Sequence, residues 1–358
     1  MKYKRLGELC NIVSGGTPSR SKTEYWNEGT IPWIKIGNIK GKYINEADEF
    51  ITQMGLDKSS AKLLTKGTVL YSIFATLGEV GILGIDACTN QAIAGITIKD
   101  VSSIDADYLY YYLKSKKSYV NNVGRGVAQN NINLSMLREF EVPLLELHKQ
   151  KEIVTILDMV LNIIVARKEE LKKLDELIKA RFVEMFQDGY SPLKTVEEIC
   201  SNIVDCPHTT PKYEGELKNP AIRTSEIKKG FLVWNTMRYV SDDEYLKRTV
   251  RLIPEAGDIV YGREGTFGNA AILPAGYKFC LGQRVMLLRP DYSKCTSEYL
   301  LHAVISDDVY QQAVVKNNAS TVAHVNVKDV KQFKVPLPSL DKQKEFADFV
   351  NQVNKSKF

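Results

Sequence analysis

Apolar residues follow a heptad pattern from about Leu147 to Phe186, in a stretch that contains neither Gly nor Pro. The expected partner-helix interface consists of Ile153, Ile156, Leu157, Val160, Ile164, Leu171, Leu174, Ile178 and Met185. A repeat of 3.5 residues sustained over about five heptads is typical of a coiled-coil seam that needs a partner helix. The pattern therefore predicts one helix, about 58 Å long at 1.5 Å per residue, rather than a core helix of a single globule.

A second helical pattern begins at about Leu340 and carries Phe346, Phe349, Val350 and Val353 before the chain ends at Phe358. Its length is about 27 Å. If it returns antiparallel to the first helix, it covers roughly 167–186 and leaves the apolar residues between 153 and 164 without a partner in this chain. An exposed apolar stripe of that kind normally marks an interaction site.

Short runs rich in Val, Ile and Thr, separated by Gly, predict strands on both sides of the first helix. The predicted strands are Ile31–Ile39, Thr68–Phe74, Ala92–Ile98, Pro220–Ile227, Asp258–Tyr261 and Val285–Arg289. Asp107–Tyr119 and Ser297–Ser306 read as helices, in equivalent places. The sequence thus indicates an α+β protein with two blocks of similar element order.

The two blocks also share sequence. The matching pairs are Gly67–Tyr71 with Gly257–Tyr261, Thr76–Gly78 with Thr266–Gly268, Gln91 with Gln283, Pro143-Leu144 with Pro336-Leu337, and Lys149–Glu152 with Lys342–Glu345. A repeat unit of this size is a domain with the helix that follows it, rather than a solenoid repeat. We therefore divide the chain into residues 1–146, a central helix at 147–187, residues 188–339, and a short C-terminal helix at 340–358.

Length and composition are those of a globular protein of about two domains: 358 residues, 44% hydrophobic and 25% charged. The formal net charge of +5 permits nucleic-acid binding without demonstrating it. No apolar stretch is long enough to span a membrane and no secretory signal is visible, so we expect no membrane partner. Six cysteines in a chain of this length favour reduced thiols and a cytoplasmic location.

The common motifs of catalysis are missing. No Walker-type phosphate loop, dinucleotide fingerprint or nucleophile elbow occurs, and the Asn-Pro-Pro-aromatic word of amino-methyltransferases is absent. No Cys-x-x-Cys pair is present, and Cys206-Pro207-His208 is at most half of a zinc site. We accordingly predict no catalytic and no metal-binding residues in this chain.

Polar loops at equivalent places in the two blocks are the remaining candidates. Hydroxyl, Arg and Lys side chains suit phosphate, and Arg, Gln and Asn read base edges. In the first block the candidate DNA contacts are Ser14, Gly16, Thr17, Arg20, Lys35, Asn38, Lys40, Thr76, Arg125, Gln129, Asn130 and Asn131. In the second block they are Arg223, Thr224, Ser225, Lys228, Arg263, Thr266, Lys316, Asn317, Asn318, Ser320, Thr321 and His324. Ordinary surface turns and solvated strand faces are the competing interpretation.

Taken in order, these features resemble the specificity subunit of a type I restriction–modification system. The resemblance covers nearly the whole chain. The words that carry it are Gly15–Ser19, Val142-Pro143-Leu144 with Gln150-Lys151-Glu152, Leu174–Phe186, and Val335-Pro336-Leu337 with Gln343-Lys344-Glu345. Their order and spacing, rather than any single word, make the resemblance specific.

The resemblance implies two pseudo-repeated α/β target recognition domains, separated by the long central helix, with the shorter C-terminal helix packed antiparallel to it. Each domain would read one half of a bipartite site in double-stranded DNA, while the helices set the spacing and dock two modification subunits. Those subunits would bind S-adenosylmethionine and methylate adenine, and a restriction subunit would use ATP and Mg²⁺. This chain would hold no cofactor and carry out no reaction.

The last helix is shorter here than the family pattern implies, since it stops at Phe358. We therefore expect a modification subunit, or a second copy of this chain, to cover the apolar stripe. Two other functions stay open from the residues: a self-sufficient DNA-modifying enzyme with an unrecognised site, and a scaffold that binds only proteins. The first would methylate or cut DNA alone; the second would have no salt-dependent DNA affinity.

Overall fold

A computed structural model describes residues 2–124, 131–187, 190–215, 218–265, 267–316 and 324–357. The chain divides into two compact units, Met1–Val165 and Ala166–Phe358. They are called unit 1 and unit 2 below. The boundary between them falls inside one long helix, so that each unit contains part of it.

Unit 1 is built from short strands and helices that alternate irregularly along the chain. Its strands are β1 (Lys2–Arg5), β2 (Cys10–Ser14), β3 (Ile31–Ile34), β4 (Tyr43–Ile44), β5 (Glu49–Ile51), β6 (Val69–Ser72), β7 (Val80–Leu83), β8 (Cys88–Thr89), β9 (Ile93–Ile98) and β10 (Glu141–Leu144). Its helices are α1 (Leu6–Leu9), α2 (Gln53–Asp57), α3 (Ala106–Ser115), α4 (Lys117–Gly124) and α5 (Leu134–Arg138).

Two sheets form the scaffold of unit 1. One has five strands in the order β2-β9-β6-β7-β4, and the other has three in the order β5-β3-β8. β1 and β10 pair separately, antiparallel to each other. The largest core cluster lies between the five-stranded sheet and α3, and includes Tyr71, Leu109 and Leu113, all fully buried.

The helix α6 (Leu147–Phe186) runs without interruption for 40 residues, about 60 Å. Val154 packs in the core of unit 1, and Asp158 accepts two hydrogen bonds from the Lys42 ammonium, at 2.7 and 2.9 Å. Further along, Ile178, Phe182 and Phe186 lie in the core of unit 2. The helix predicted at 147–187 therefore exists, and both of its ends belong to packed cores.

Unit 2 repeats the plan. Its strands are β11 (Leu193–Thr195), β12 (Cys200–Asp205), β13 (Tyr213–Glu214), β14 (Asn219–Ile222), β15 (Arg238–Val240), β16 (Ile259–Gly262), β17 (Ala270–Ile272), β18 (Cys280–Leu281), β19 (Val285–Pro290) and β20 (Lys334–Pro336). Its helices are α7 (Val196–Ile199), α8 (Asp242–Arg248), α9 (Ser297–Val304), α10 (Asp307–Lys316), α11 (Val327–Lys331) and α12 (Leu340–Lys355).

The strand orders of unit 2 match those of unit 1. The order β12-β19-β16-β17 corresponds to β2-β9-β6-β7, and β15-β14-β18 corresponds to β5-β3-β8. Strand directions correspond as well, since β3 runs parallel to β8 in unit 1 and β14 runs parallel to β18 in unit 2. The repeat inferred from a few sequence words is therefore a repeat of the fold, and the α+β class is confirmed.

The C-terminal helix α12 packs antiparallel to the second half of α6. Phe346, near its start, contacts Phe182 and Phe186 with ring centroids 5.5 and 5.4 Å apart. At its other end, the Lys357 ammonium lies 2.6 Å from a carboxylate oxygen of Asp175. The antiparallel return predicted from the sequence is thus present, and it covers the part of α6 that was expected.

The predicted strands Ile31–Ile39 and Pro220–Ile227 are wrong in their second halves. The chain leaves the sheet after Ile34 and Ile222 and forms 3-10 turns at Ile36–Asn38 and Thr224–Glu226. In both places a polar side chain closes the turn: Asn38 accepts a hydrogen bond from the backbone of Lys35, as Glu226 does from that of Arg223. These side-chain bonds offer the backbone an alternative to the sheet ladder.

Candidate nucleic-acid interface

In unit 1 the loops singled out from the sequence leave the two sheets at one edge. Ser14 and Ser72, the last residues of β2 and β6, pair with the first two residues of β9. Ile34, the last residue of β3, accepts a hydrogen bond from the backbone of Asn90. The three strands thus end beside the short segment that connects β8 to β9, and we call this end of unit 1 its loop edge.

Unit 2 has the same edge. Asp205 and Gly262, the last residues of β12 and β16, pair with the first two residues of β19. Ile222, at the end of β14, accepts a hydrogen bond of 2.7 Å from the backbone of Gly282, which lies between β18 and β19. This end is the loop edge of unit 2. Two rigid scaffolds therefore each present a group of loops, the arrangement in which binding residues are commonly carried.

The first polar loop, after β2, is held close to its own unit. The N–H of Gly16 donates to the carbonyl of Thr89 at 2.9 Å, so it is not free to approach an anion as expected. A Cβ at Gly16 would lie only 2.3 Å from the Ser60 hydroxyl, which explains the glycine by close packing. Ser14 is half-buried, whereas the Thr17 hydroxyl turns outward and donates to the side chain of Gln91.

Arg20 lies at the end of this loop in a cation–aromatic cluster. Its guanidinium stacks 3.6 Å from the ring centre of Trp26 and forms an ion pair with Glu49. Lys35 pairs with the same carboxylate. The Lys35 hydrogen bond, opposed by some desolvation and supplemented by Arg20, holds the pKa of Glu49 below its usual value. Two cations around one carboxylate leave this cluster with a net positive charge.

The second polar loop follows β3 in unit 1 and β14 in unit 2. Asn38 caps the turn and donates to Asp48, while Lys40 is exposed. In unit 2, Arg223 is engaged by the buried carboxylate of Glu226. Three further predicted contacts lie in this loop of unit 2. Thr224 is half-buried, the Ser225 hydroxyl donates to the Glu226 carboxylate, and Lys228 is exposed.

The third and fourth loops are brought together in each unit. In unit 1, Phe74 and Asn131 form a bridge, and Thr76 is exposed in the turn that follows. In unit 2, Glu264 and His324 form the equivalent bridge. Backbone bonds beside the bridges also correspond, since Ile132 donates to Ile73 as Val325 donates to Arg263. Two segments far apart in sequence therefore meet at each loop edge.

Arg263 is placed differently from the expectation of an Arg on an open loop. Its side chain is 3% exposed, with one guanidinium nitrogen 3.0 Å from an oxygen of Asp205 and another 3.4 Å from the carbonyl of Val325. As placed, this guanidinium ties the end of β12 to the bridge, and its burial argues against a base contact.

The structure describes only some of the remaining predicted contacts. Lys316 ends α10 and is exposed. The ring of His324 lies 3.3 Å from Glu264. The residues that fall outside the described part of the chain are Arg125, Gln129, Asn130, Thr266, Asn317, Asn318, Ser320 and Thr321. Their role in DNA contact stays a prediction.

Sequence reasoning missed the segment between β18 and β19. Arg284 lies there with a backbone φ of 65°, a region that non-glycine residues rarely adopt. Its side chain is 62% exposed and lies 3.2 Å from Glu264. Strained backbone at an exposed basic residue favours a functional explanation. Unit 1 has Ala92 at the equivalent position, so the repeat alone could not reveal it.

Neither membrane crossing nor metal binding is indicated in the described ranges. In that part of the chain, no helix is long and apolar enough to cross a membrane. There is likewise no group of three or more His, Cys, Asp or Glu side chains there that could hold a metal ion.

Comparison with known proteins agrees with the repeated fold. Residues 1–175 and 211–357 match the profile of the type I restriction modification DNA specificity domain. The type I restriction enzyme MjaIX specificity subunit of Methanocaldococcus jannaschii is 29% identical over 210 residues, which are 56% of this chain and 47% of that one. The MjaVIII specificity subunit of the same organism is 21% identical and aligns with 98% of this chain and 85% of its own length.

This chain therefore spans about half the length of the first of these relatives and most of the second. Among solved structures, one described as the structural basis of complex assembly and conformational transition of the type I R-M system superimposes with a TM-score of 0.58, at 16% identity, over 99% of this chain and 90% of that one. At this identity the superposition shows the fold alone. Because the profile matches most of the chain, the protein belongs to the type I restriction–modification DNA specificity family.

Proposed function

We propose that this chain is the DNA-recognition subunit of a type I restriction–modification complex, in which each unit reads one half of a bipartite site in double-stranded DNA. The observation that carries the proposal is the duplicated loop edge. The same three strand ends, the same connecting segment and the same bridge occur in both units, while the side chains differ. A loop edge that is present twice, with different side chains each time, suits the recognition of two different half-sites.

The cations at the loop edges support DNA as the ligand. Arg20 and Lys35 lie in one cluster of unit 1, and Arg284 is exposed in unit 2. Such cations neutralise phosphates and release counterions, so affinity must fall steeply as salt rises. Arg284 is also the side chain type that makes a two-pronged contact with guanine.

The chemistry belongs to partner subunits in this proposal. Modification subunits bind S-adenosylmethionine and methylate adenine, and a restriction subunit uses ATP and Mg²⁺. The chain itself contributes sequence recognition and holds no cofactor. The names of the relatives, all of them specificity subunits, support this division. We place the complex in the cytoplasm.

The first half of α6 is the surface on which we propose that the two modification subunits dock. Ile156, Val160, Ile163 and Ile164 are 56, 47, 68 and 45% exposed, whereas Leu174 and Ile178 are packed against the core of unit 2. The backbone carbonyl of Ser356, just after α12, accepts a hydrogen bond from Arg167 of α6. A continuous apolar stripe beside a packed one fits a helical partner.

Selection from a random duplex DNA library tests the proposal. The full chain, with its modification subunits, is expected to enrich two short sequences at a fixed separation, and affinity for the enriched site is expected to fall steeply with salt. The chain alone is expected neither to methylate nor to cut that DNA. Absence of any enriched sequence would contradict the proposal, and so would methyl transfer or cleavage by the isolated chain.

A further inference from the structure

A threonine and a glutamine side chain are joined by a hydrogen bond at the same place in both units. In unit 1 the Thr17 hydroxyl donates to Gln91. In unit 2 the amide of Gln283 donates to the Thr210 hydroxyl at 3.0 Å. Both threonines precede a proline, and both glutamines lie two residues before the strand that pairs with the ends of the other strands.

The Thr–Gln pairs lie at the two loop edges, where Gln91 is exposed and Gln283 is half-buried. The loops around them have diverged. Gly15 and Gly16 precede the threonine in unit 1, whereas His208 and Thr209 precede it in unit 2. Retention of one side-chain pair among differing neighbours indicates that the pair itself has a use.

The pair is not needed to attach the loop to the sheet. Gly15 donates from its backbone to Ile93, and Cys206 donates in the same way to Val285. These backbone bonds fix the start of each loop. Water competes for a side-chain bond at an exposed position, so such a bond adds little to folding. Its main effect is to hold the glutamine amide in one direction.

We propose that Gln91 and Gln283 are the equivalent base-contacting residues of the two units, with Thr17 and Thr210 as their positioning residues. A carboxamide carries one donor and one acceptor side by side, and the major-groove edge of adenine offers the complementary pair at N6 and N7. Each unit therefore reads an adenine in its half-site through this glutamine. The inference rests on the proposed function and assigns residues to it.

The experiment uses the full chain with its modification subunits and a library of random duplex DNA, with sequencing of the bound fraction. Gln91→Ala is expected to lower discrimination at one base pair of one half-site on the order of tenfold, and to leave the other half-site unchanged. Gln283→Ala is expected to do the same at one base pair of the other half-site. The base lost should be adenine in both.

Thr17→Val and Thr210→Val keep the side-chain size and remove the hydroxyl. Each is expected to weaken discrimination at the same base pair as the matching glutamine variant, by a smaller factor. The slope of affinity against salt should stay unchanged in all four variants, because no phosphate contact is lost. Gln332→Ala is the matched control: this exposed glutamine bonds to Glu197, before the start of β12 and away from the loop edge.

Two results would overturn the inference while the proposed function stands. One is a bipartite preference that Gln91→Ala and Gln283→Ala leave intact at every base pair. The other is an equal loss of affinity for all sequences together with a lowered melting temperature, which would make the pair structural. If the unaltered protein enriches no sequence, the proposed function and this inference both fall.

Discussion

Gln150 and Gln343 do the same work in the two units. Each is fully buried near the start of a long helix, and each amide oxygen accepts a hydrogen bond from the N-cap residue of a second helix, Asp105 at 2.9 Å and Thr296 at 2.8 Å. Each amide nitrogen donates to two backbone carbonyls. The sequence Lys-Gln-Lys-Glu that surrounds both glutamines therefore has a structural role: in each unit the glutamine joins the start of the helix to the domain that precedes it.

Gln150→Ala is expected to destabilise unit 1 by about 3 kcal/mol, because it removes the hydrogen-bond partner of three half-buried backbone groups, the N–H of Asp105 and the carbonyls of Ser103 and Leu145. Denaturant unfolding of the full chain measures the change. The neighbouring exposed residue supplies the control, since Lys149→Ala should stay within about 0.5 kcal/mol of the unaltered protein. Equal effects of the two substitutions would show that the joint does not hold the unit together.

Arg263 and Arg284 lie close in one loop edge and are expected to respond in opposite ways. Arg263→Ala removes a buried guanidinium that pairs with the half-buried carboxylate of Asp205, so unit 2 should lose about 3 kcal/mol of stability. Arg284→Ala should leave stability nearly unchanged and lower DNA affinity, since its side chain is mostly exposed. Thermal unfolding and DNA titration of both variants check this. A stable Arg263→Ala protein with altered base preference would restore the prediction made from sequence.

His302 is expected to make the stability of unit 2 sensitive to acid. It packs against Phe182 and Phe346, and burial, reinforced by the Lys357 charge and opposed by Asp175, lowers its pKa from 6.5 to about 4. As the pH falls, His302 becomes protonated near pH 6.5 in the unfolded chain, whereas it stays neutral until about pH 4 in the folded chain. The stability that neutral His302 contributes is therefore fully present above pH 6.5 and is lost as the pH falls from 6.5 to about 4.

His302→Gln is expected to remove up to about 3 kcal/mol of the pH dependence of unit 2 between pH 6.5 and 4. Denaturant unfolding at several pH values, compared with the unaltered protein, isolates this contribution from that of the carboxylates. His148→Gln serves as the control, because His148 is exposed. A pH profile of the His302 variant that parallels the unaltered one would refute the assignment.

The apolar stripe of α6 is expected to serve assembly rather than folding. Ile163→Ser should leave the unfolding transition unchanged, since the side chain is exposed. It should also reduce the amount of modification subunit that co-elutes with the chain in size-exclusion chromatography. Ile178→Ser removes a buried side chain from the core of unit 2 and should cost about 3 kcal/mol of stability. If the Ile163 variant keeps its partners but a dimer of this chain dissociates, the stripe binds a second copy instead.

The long helix was predictable because its pattern is strong and local. Its apolar heptads and the absence of Gly and Pro placed it at 147–187, and it occupies Leu147–Phe186. The strands after Ile34 and Ile222 were predicted too long, since the chain there turns where the side chains of Asn38 and Glu226 accept hydrogen bonds from the backbone. The pattern of apolar and polar residues does not reveal side-chain hydrogen bonds of that kind.

The exposure of the candidate side chains was harder to predict than the fold. Residue type alone cannot distinguish an exposed Arg284 from a buried Arg263, because the difference lies in Asp205, which is distant in sequence. The repeat did contain a usable signal. Gln91 aligns with Gln283, and Thr17-Pro18 aligns with Thr210-Pro211, so both members of each Thr–Gln pair are repeated in the sequence.

Exchange of the part of unit 2 that lies between α6 and α12 tests the central claim most directly. Residues 190–338 are replaced by the equivalent block of a family member that enriches a different sequence, and the hybrid is put through the same DNA selection as its two parents. The account predicts a hybrid site with one half from each parent, at the separation set by this chain. A site that changes in both halves, or in neither, would contradict the claim that each unit reads one half independently.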